Sequence, residues 1–216
     1  MNMQRLETQL CEFLNTQWDG LTDHAHNIAH LKRVAYNSRK IMSSEGGDEL
    51  VIITASYFHD IVSLPKSDPQ RSRSSRLAAD KAITLIRNNF PEIPDSLYEN
   101  IHHTILAHSF SAKIQAKTIE AKILQDADRI DALGAVGLAR VFYIAGSLGQ
   151  NLFDDNDTFA VERPLNDKMF ALDHFKTKLL KLANQMNTSE GYRIAAERSN
   201  YLLDFLDKLA SELPQT

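Results

Sequence analysis

A chain of 216 residues with 43% hydrophobic and 24% charged residues, 8 Gly and 6 Pro is the size of one domain and excludes disordered, collagenous and low-complexity classes. Its net charge of −4 argues against wholesale binding to nucleic acid or an anionic membrane, so any polyanion site has to be local. The single Cys11 cannot form an internal disulfide, the opening MNMQRLETQL lacks the basic-then-apolar order of a signal peptide, and no apolar run approaches a membrane span; together these predict a cytoplasmic protein.

Apolar spacing is helical almost throughout, and Pro65, Pro69, Pro91, Pro94, Pro164 and Pro214 all fall between periodic segments, which predicts an all-α fold. A first helix over 3–17 places Leu6, Leu10, Phe13 and Leu14 on one face, with Trp18 near its end as a core or interface residue. A second runs over 27–44 and stops at Gly46-Gly47; a third starts at Asp48, an N-cap residue type, and leads to His59-Asp60. Further helices are expected over 74–90, 95–108, 114–125, 128–148, 167–186 and 189–211, with Gly134 and Gly137 permitting close packing. Two irregular stretches remain, 61–73 and 149–166. The second carries Asp154, Asp155 and Asp157 without the residue order of a calcium loop, and reads as a mobile flap.

Seven of the eight histidines precede residue 110: His24, His26, His30, His59, His102, His103 and His108. His26 and His30 are four apart, so at a helix start they share a face; His59 is followed directly by Asp60; the segment QDADRID offers Asp126, Asp128 and Asp131. Singly, each reads as an ordinary core histidine or a cap. Imidazoles and carboxylates drawn from three separate helices are how a helical bundle assembles a metal site, and this mixed nitrogen and oxygen set suits Mn, Fe, Co, Ni or Zn, and Mg less well.

The surrounding segments carry a more specific signal. The ordered pattern H…HD…D, within HNIAHLKRVAYNS, FHDIVSLPK with RSRSSRLAADKA, HHTILAHSFSA, EAKILQDADRIDALGAVGLARVF and DHFKTKLLKLANQMNTSEGYRIAAERSNYLLDFL, resembles the HD-domain superfamily of metal-dependent phosphohydrolases, and within it a subgroup of small bacterial hydrolases. The likeness spans about residues 20–208. It implies a single helical HD domain over 1–216, with a core of about 20–145 and a helical extension of about 165–212.

The same resemblance makes His30, His59, Asp60 and Asp128 the ligands of one divalent ion, with Asp60 also counted as catalytic. His103 and His108 match the subgroup and are counted with Asp60 as catalytic, in contact with substrate phosphate or in a supporting role, with a second metal equally open; His102 stands where another residue type is expected. Asn27 replaces an Asp that the family often has after the first histidine. Between Ser63 and Arg76 lie Lys66, Arg71, Arg73 and Arg76 against Asp68 alone, a basic loop suited to phosphate, and Ser72 or Ser74 can cap the helix that follows. Lys66, Arg71, Arg73, Ser74 and His26 form the expected substrate-binding set.

The resemblance implies hydrolysis of a phosphate ester or anhydride by a metal-activated water, with the subgroup favouring nucleotide pyrophosphohydrolase or phosphatase activity on a small nucleotide. A cyclic or linear nucleotide phosphodiesterase and a metal- or nucleotide-binding module without turnover are the alternatives. No membrane or nucleic-acid partner is expected, and a homodimer is left open.

Overall fold

The computed structural model describes residues 2–17, 27–64, 68–109 and 112–214. The expectations for Trp18, His26 and Lys66 lie outside the described residues. Among those described, the chain is helical, and a single bridge, Asn151 to Phe170, is the one β-type pairing. It divides into two compact units, Met1–Asp128 and Arg129–Thr216.

The first unit holds α1 (Met3–Gln17), α2 (Ile28–Glu45), α3 (Glu49–Phe58), α4 (Ser74–Asn89), α5 (Tyr98–His108) and most of α6 (Ile119–Asp131). Asp48 caps α3 by accepting from Leu50 and Val51 N–H at 2.9 and 3.3 Å, and Gly46, at φ 78, ends α2 in a backbone region that disfavours side chains. The sequence of α3, ELVIITASYF, is apolar on nearly every side, and every residue from Val51 to Phe58 is buried, the mark of a central helix with neighbours all round. It packs against α1, α2, α4 and α5. Phe58 meets Phe13 and Phe90 with ring centroids 6.4 and 6.1 Å apart, which anchors α1 and the end of α4 to it.

In the second unit, α7 (Gly134–Ser147) packs on α9 (Ser189–Glu212), and Phe142, Phe175 and Phe205 form its aromatic cluster at 5.8–6.2 Å. Several boundaries differ from expectation, the first being the start of α6 at Ile119 and not at 114. The α6 helix continues through the acidic segment to Asp131 and the break comes at Gly134, whose φ of 68 and whose closeness to Arg198 (3.1 Å from a notional Cβ) both favour glycine. The anticipated helix over 167–186 is only α8 (Asp173–Thr177) followed by 3₁₀ turns at Leu179–Lys181 and Ala183–Gln185. Local side chains win there: Asp167 accepts from Thr177 Oγ1 at 2.9 Å and lies 3.1 Å from His174 Nδ1, while Asn151 takes up Met169 O and Ala171 N.

The stretch 149–166 is tied down where a flap was expected. Asp157 accepts three backbone N–H bonds, from Val161, Glu162 and Arg163, and Arg163 clasps Asp173 at 2.6 and 2.8 Å while stacking over Phe170.

Candidate metal centre

Three helices and one turn bring the site together, all within Met1–Asp128. Asn27 caps α2 by accepting from His30 N–H at 3.1 Å, which sets the first helical turn and with it the imidazole of His30. His59 and Asp60 follow the last residue of α3, where neighbouring side chains leave the helix together. Asp128 projects from α6 and His108 ends α5.

The donor atoms converge. His30 Nε2 lies 3.3 Å from His59 Nε2, 3.5 Å from Asp128 Oδ1 and 3.8 Å from Asp60 Oδ2. His59 Nε2 is 3.6 Å from Asp60 Oδ2 and 3.9 Å from Asp128 Oδ1. The other oxygen of Asp60, Oδ1, faces His108 Nε2 at 3.6 Å. Asp60 therefore looks both ways, to the pair of imidazoles with one oxygen and to His108 with the other.

The tautomers follow from helix geometry. The last turn of a helix leaves carbonyls without helical partners. His59 Nδ1 donates to Ser56 O at 2.8 Å, and His108 Nδ1 donates to Ile105 O at 2.6 Å, each three residues back on its own helix. A carbonyl only accepts, so Nδ1 carries the proton, and the Nε2 of neutral His59 presents a lone pair. Burial pushes the His59 pKa down to about 4, against the opposing pull of Asp60, so the ring is neutral at pH 7. Burial acts the same way on His108, but hydrogen bonding to Asp60 and the charges of Asp60 and Asp128 outweigh it and hold its pKa above the ordinary histidine value.

The imidazole nitrogens of His30 and His59 stand 3.3 Å apart and each lies 3.5–3.9 Å from a carboxylate oxygen of Asp60 and of Asp128, close to the roughly 3–4 Å spacing of donors around a first-row divalent ion. His30, His59 and Asp128, and separately His59, Asp60 and His108, are groups able to hold a metal ion.

Other expected residues lie elsewhere. His103 Nε2 accepts the backbone N–H of Lys117 at 3.0 Å, which occupies its lone pair, and it belongs to neither metal-capable group. His102 pairs with Asp80 at 2.8 Å. Asp131 is buried against Arg140 at 2.8 Å. Ser74 does not cap α4: its Oγ accepts from Leu64 N–H at 3.3 Å, and Arg71 donates to Leu64 O at 2.7 Å, so both brace the basic loop. Arg73, exposed, donates to the Gln70 side chain at 3.2 Å. Sequence reasoning missed the carbonyls of Ser56 and Ile105, which no residue type advertises. It also missed the capping role of Asn27, although an Asn directly before a helical run is a readable cap signal.

Residues 27–133 match the HD domain model. The uncharacterized protein YpgQ of Bacillus subtilis is 32% identical over 200 residues, covering 90% of this chain and 88% of that one. The chain belongs to the HD-domain superfamily. Among solved HD-type structures, an HD-superfamily hydrolase from Bacillus thuringiensis superposes with a TM-score of 0.73 at 27% identity, covering 97% of each chain. Bacillus subtilis YpgQ in complex with ADP superposes with a TM-score of 0.72 at 28% identity, covering 99% of this chain and 98% of that one. The HD-superfamily hydrolase fold is thus this chain's fold, and among its described residues no single helix is long and apolar enough to cross a membrane.

Proposed function

We propose that this HD-domain protein is a metal-dependent phosphohydrolase acting on a phosphate ester or anhydride of a small nucleotide. The observation that carries the reading is the approach of one carboxylate oxygen each of Asp60 and Asp128 to within 3.5–3.9 Å of the paired imidazole nitrogens of His30 and His59. The ADP complex of YpgQ supports a nucleotide as ligand.

His30, His59, Asp60 and Asp128 would hold one divalent ion, with Mn, Fe, Co, Ni, Zn and Mg as the range of identities. When bound, such an ion polarises a phosphate oxygen and brings the pKa of a coordinated water towards neutrality. The protein's own share is positioning and proton placement. Asp60 orients towards the imidazole pair through Oδ2 while Oδ1 keeps a proton on His108 Nε2, since His108 Nδ1 is already committed to Ile105 O. That Nε2–H would serve as a proton donor to a phosphate oxygen or a leaving group. Burial of both histidines keeps bulk water from competing for these groups. By charge and sequence position Arg73 and Lys66 suit phosphates remote from the reacting one, and Arg71 and Ser74 hold the Leu64 backbone beside the start of α4.

Elemental analysis of purified protein, followed by a panel of mono-, di- and triphosphates and phosphodiesters assayed with each metal, tests this. Release of phosphate or pyrophosphate that depends on the metal is expected. Bound metal with no turnover of any compound would leave a binding module, and turnover confined to diesters would make it a phosphodiesterase.

A further inference from the structure

The helices that carry the candidate ligands are fastened to one another by buried amides that the chemistry above does not use. Gln125 on α6 donates through Nε2 to Ala107 O at 2.8 Å. This carbonyl sits in the last turn of α5, where helical partners run out, and belongs to the residue just before His108. Asn37 on α2 donates through Nδ2 to Ala127 O at 3.4 Å, the carbonyl of the residue just before Asp128. Gln125 is 7% exposed and Asn37 2%, and Ala107 and Ala127 are fully buried, so both bonds are shielded from water.

The two amides grip α6 from two sides. One joins it to α2, which supplies His30, and the other to α5, which supplies His108. Asp128 itself is 31% exposed, so packing around its carboxylate holds it less than packing holds His30 and His59, at 2% and 0%. Its place opposite the imidazoles depends on where the α6 backbone is pinned, and Gln125 lies one helical turn before it.

We propose that Gln125 and Asn37 are positioning residues that set α6, and with it Asp128, against the imidazoles of the metal centre. This inference rests on the metal-centre reading. Each amide donates to a backbone carbonyl adjacent to a site residue, and through it acts on the helix that carries that residue. Losing either bond frees α6 to shift, and a carboxylate displaced from its donor position weakens a coordinated ion.

The test is Mn²⁺ affinity of the full chain by isothermal titration, with thermal melting of each variant measured with and without Mn²⁺. Gln125→Met and Asn37→Leu keep side-chain volume and remove the donor. Each is expected to weaken Mn²⁺ binding by about 10- to 100-fold and to shrink the rise in Tm that Mn²⁺ confers. If wild-type protein binds Mn²⁺ and both variants melt lower but bind it within twofold of wild type, the amides are structural only and the proposal fails. If wild type binds no Mn²⁺, it is the metal-centre reading that fails. Should Asn37→Leu not fold, Gln125→Met carries the same comparison on the shorter bond, with Gln125→Ala as its replacement.

Discussion

His59 Nδ1 lies 2.8 Å from the carbonyl oxygen of Ser56, and that main-chain bond turns the lone pair of His59 Nε2 towards His30. The acceptor is backbone, so the side chain of Ser56 is dispensable to it. Ser56→Ala should leave metal content unchanged, and it should cost about 1 kcal/mol in urea unfolding because the buried Ser56 hydroxyl also meets Ser38 Oγ at 3.1 Å. His59→Ala should strip the metal altogether. Elemental analysis of the two variants side by side checks the assignment.

The acidic segment of α6 separates ligand from structure. Asp60→Ala and Asp128→Ala should each abolish metal retention and turnover, because an open and undercharged site no longer holds the ion. Asp126→Asn and Asp131→Asn should keep their metal. Asp131→Asn should instead lower stability by about 1–3 kcal/mol, since its buried carboxylate accepts from Arg140 at 2.8 Å. Full metal in the Asp128 variant would remove that residue from the ligand set.

The basic loop predicts a dependence on phosphate number. Lys66→Ala and Arg73→Ala should lower kcat/KM for a nucleoside triphosphate by about 5- to 100-fold, with less change for a monoester and none in metal content. Arg71→Ala should behave differently from Arg73→Ala. Arg71 also braces the loop through Leu64 O, so its loss should affect all substrates and lower the melting temperature. Matched mono-, di- and triphosphate kinetics distinguish the two patterns.

Acid should weaken the Arg129–Thr216 unit. The bidentate bond from Arg163 holds the Asp173 carboxyl below the usual range, and His174 does the same for Asp167. A carboxyl whose folded pKa lies below its unfolded value of about 3.9 stabilises at neutral pH, and that contribution fades as pH falls below about 4 through the folded pKa. Asp173→Asn should therefore cost about 3 kcal/mol at pH 7 and flatten the loss of stability between pH 5 and 3. Urea midpoints by circular dichroism at pH 7, 5 and 3, wild type against variant, give the comparison; parallel curves would reject this account.

Much of the helical layout was legible from residue order, because apolar spacing, the Asp48 cap and the Gly46 stop are local signals whose physics acts within one or two turns. The pairing of His59 with Asp60 was legible for the same reason. Residue order did not place the break between α6 and α7, since a run of acids resembles a helix end unless its carboxylates have partners, and the buried bond of Asp131 to Arg140 comes from nine residues away. Nor did it show that 167–186 would be mostly turns, where Asp167, His174 and Thr177 bond one another in preference to a regular helix. Tertiary structure alone decided that His108 joins the site while His103, five residues earlier on the same helix, is spent on Lys117 N–H. Both are histidines on α5, and which one reaches Asp60 depends on how that helix is rotated against α3 and α6, a matter of long-range packing that no local signal carries.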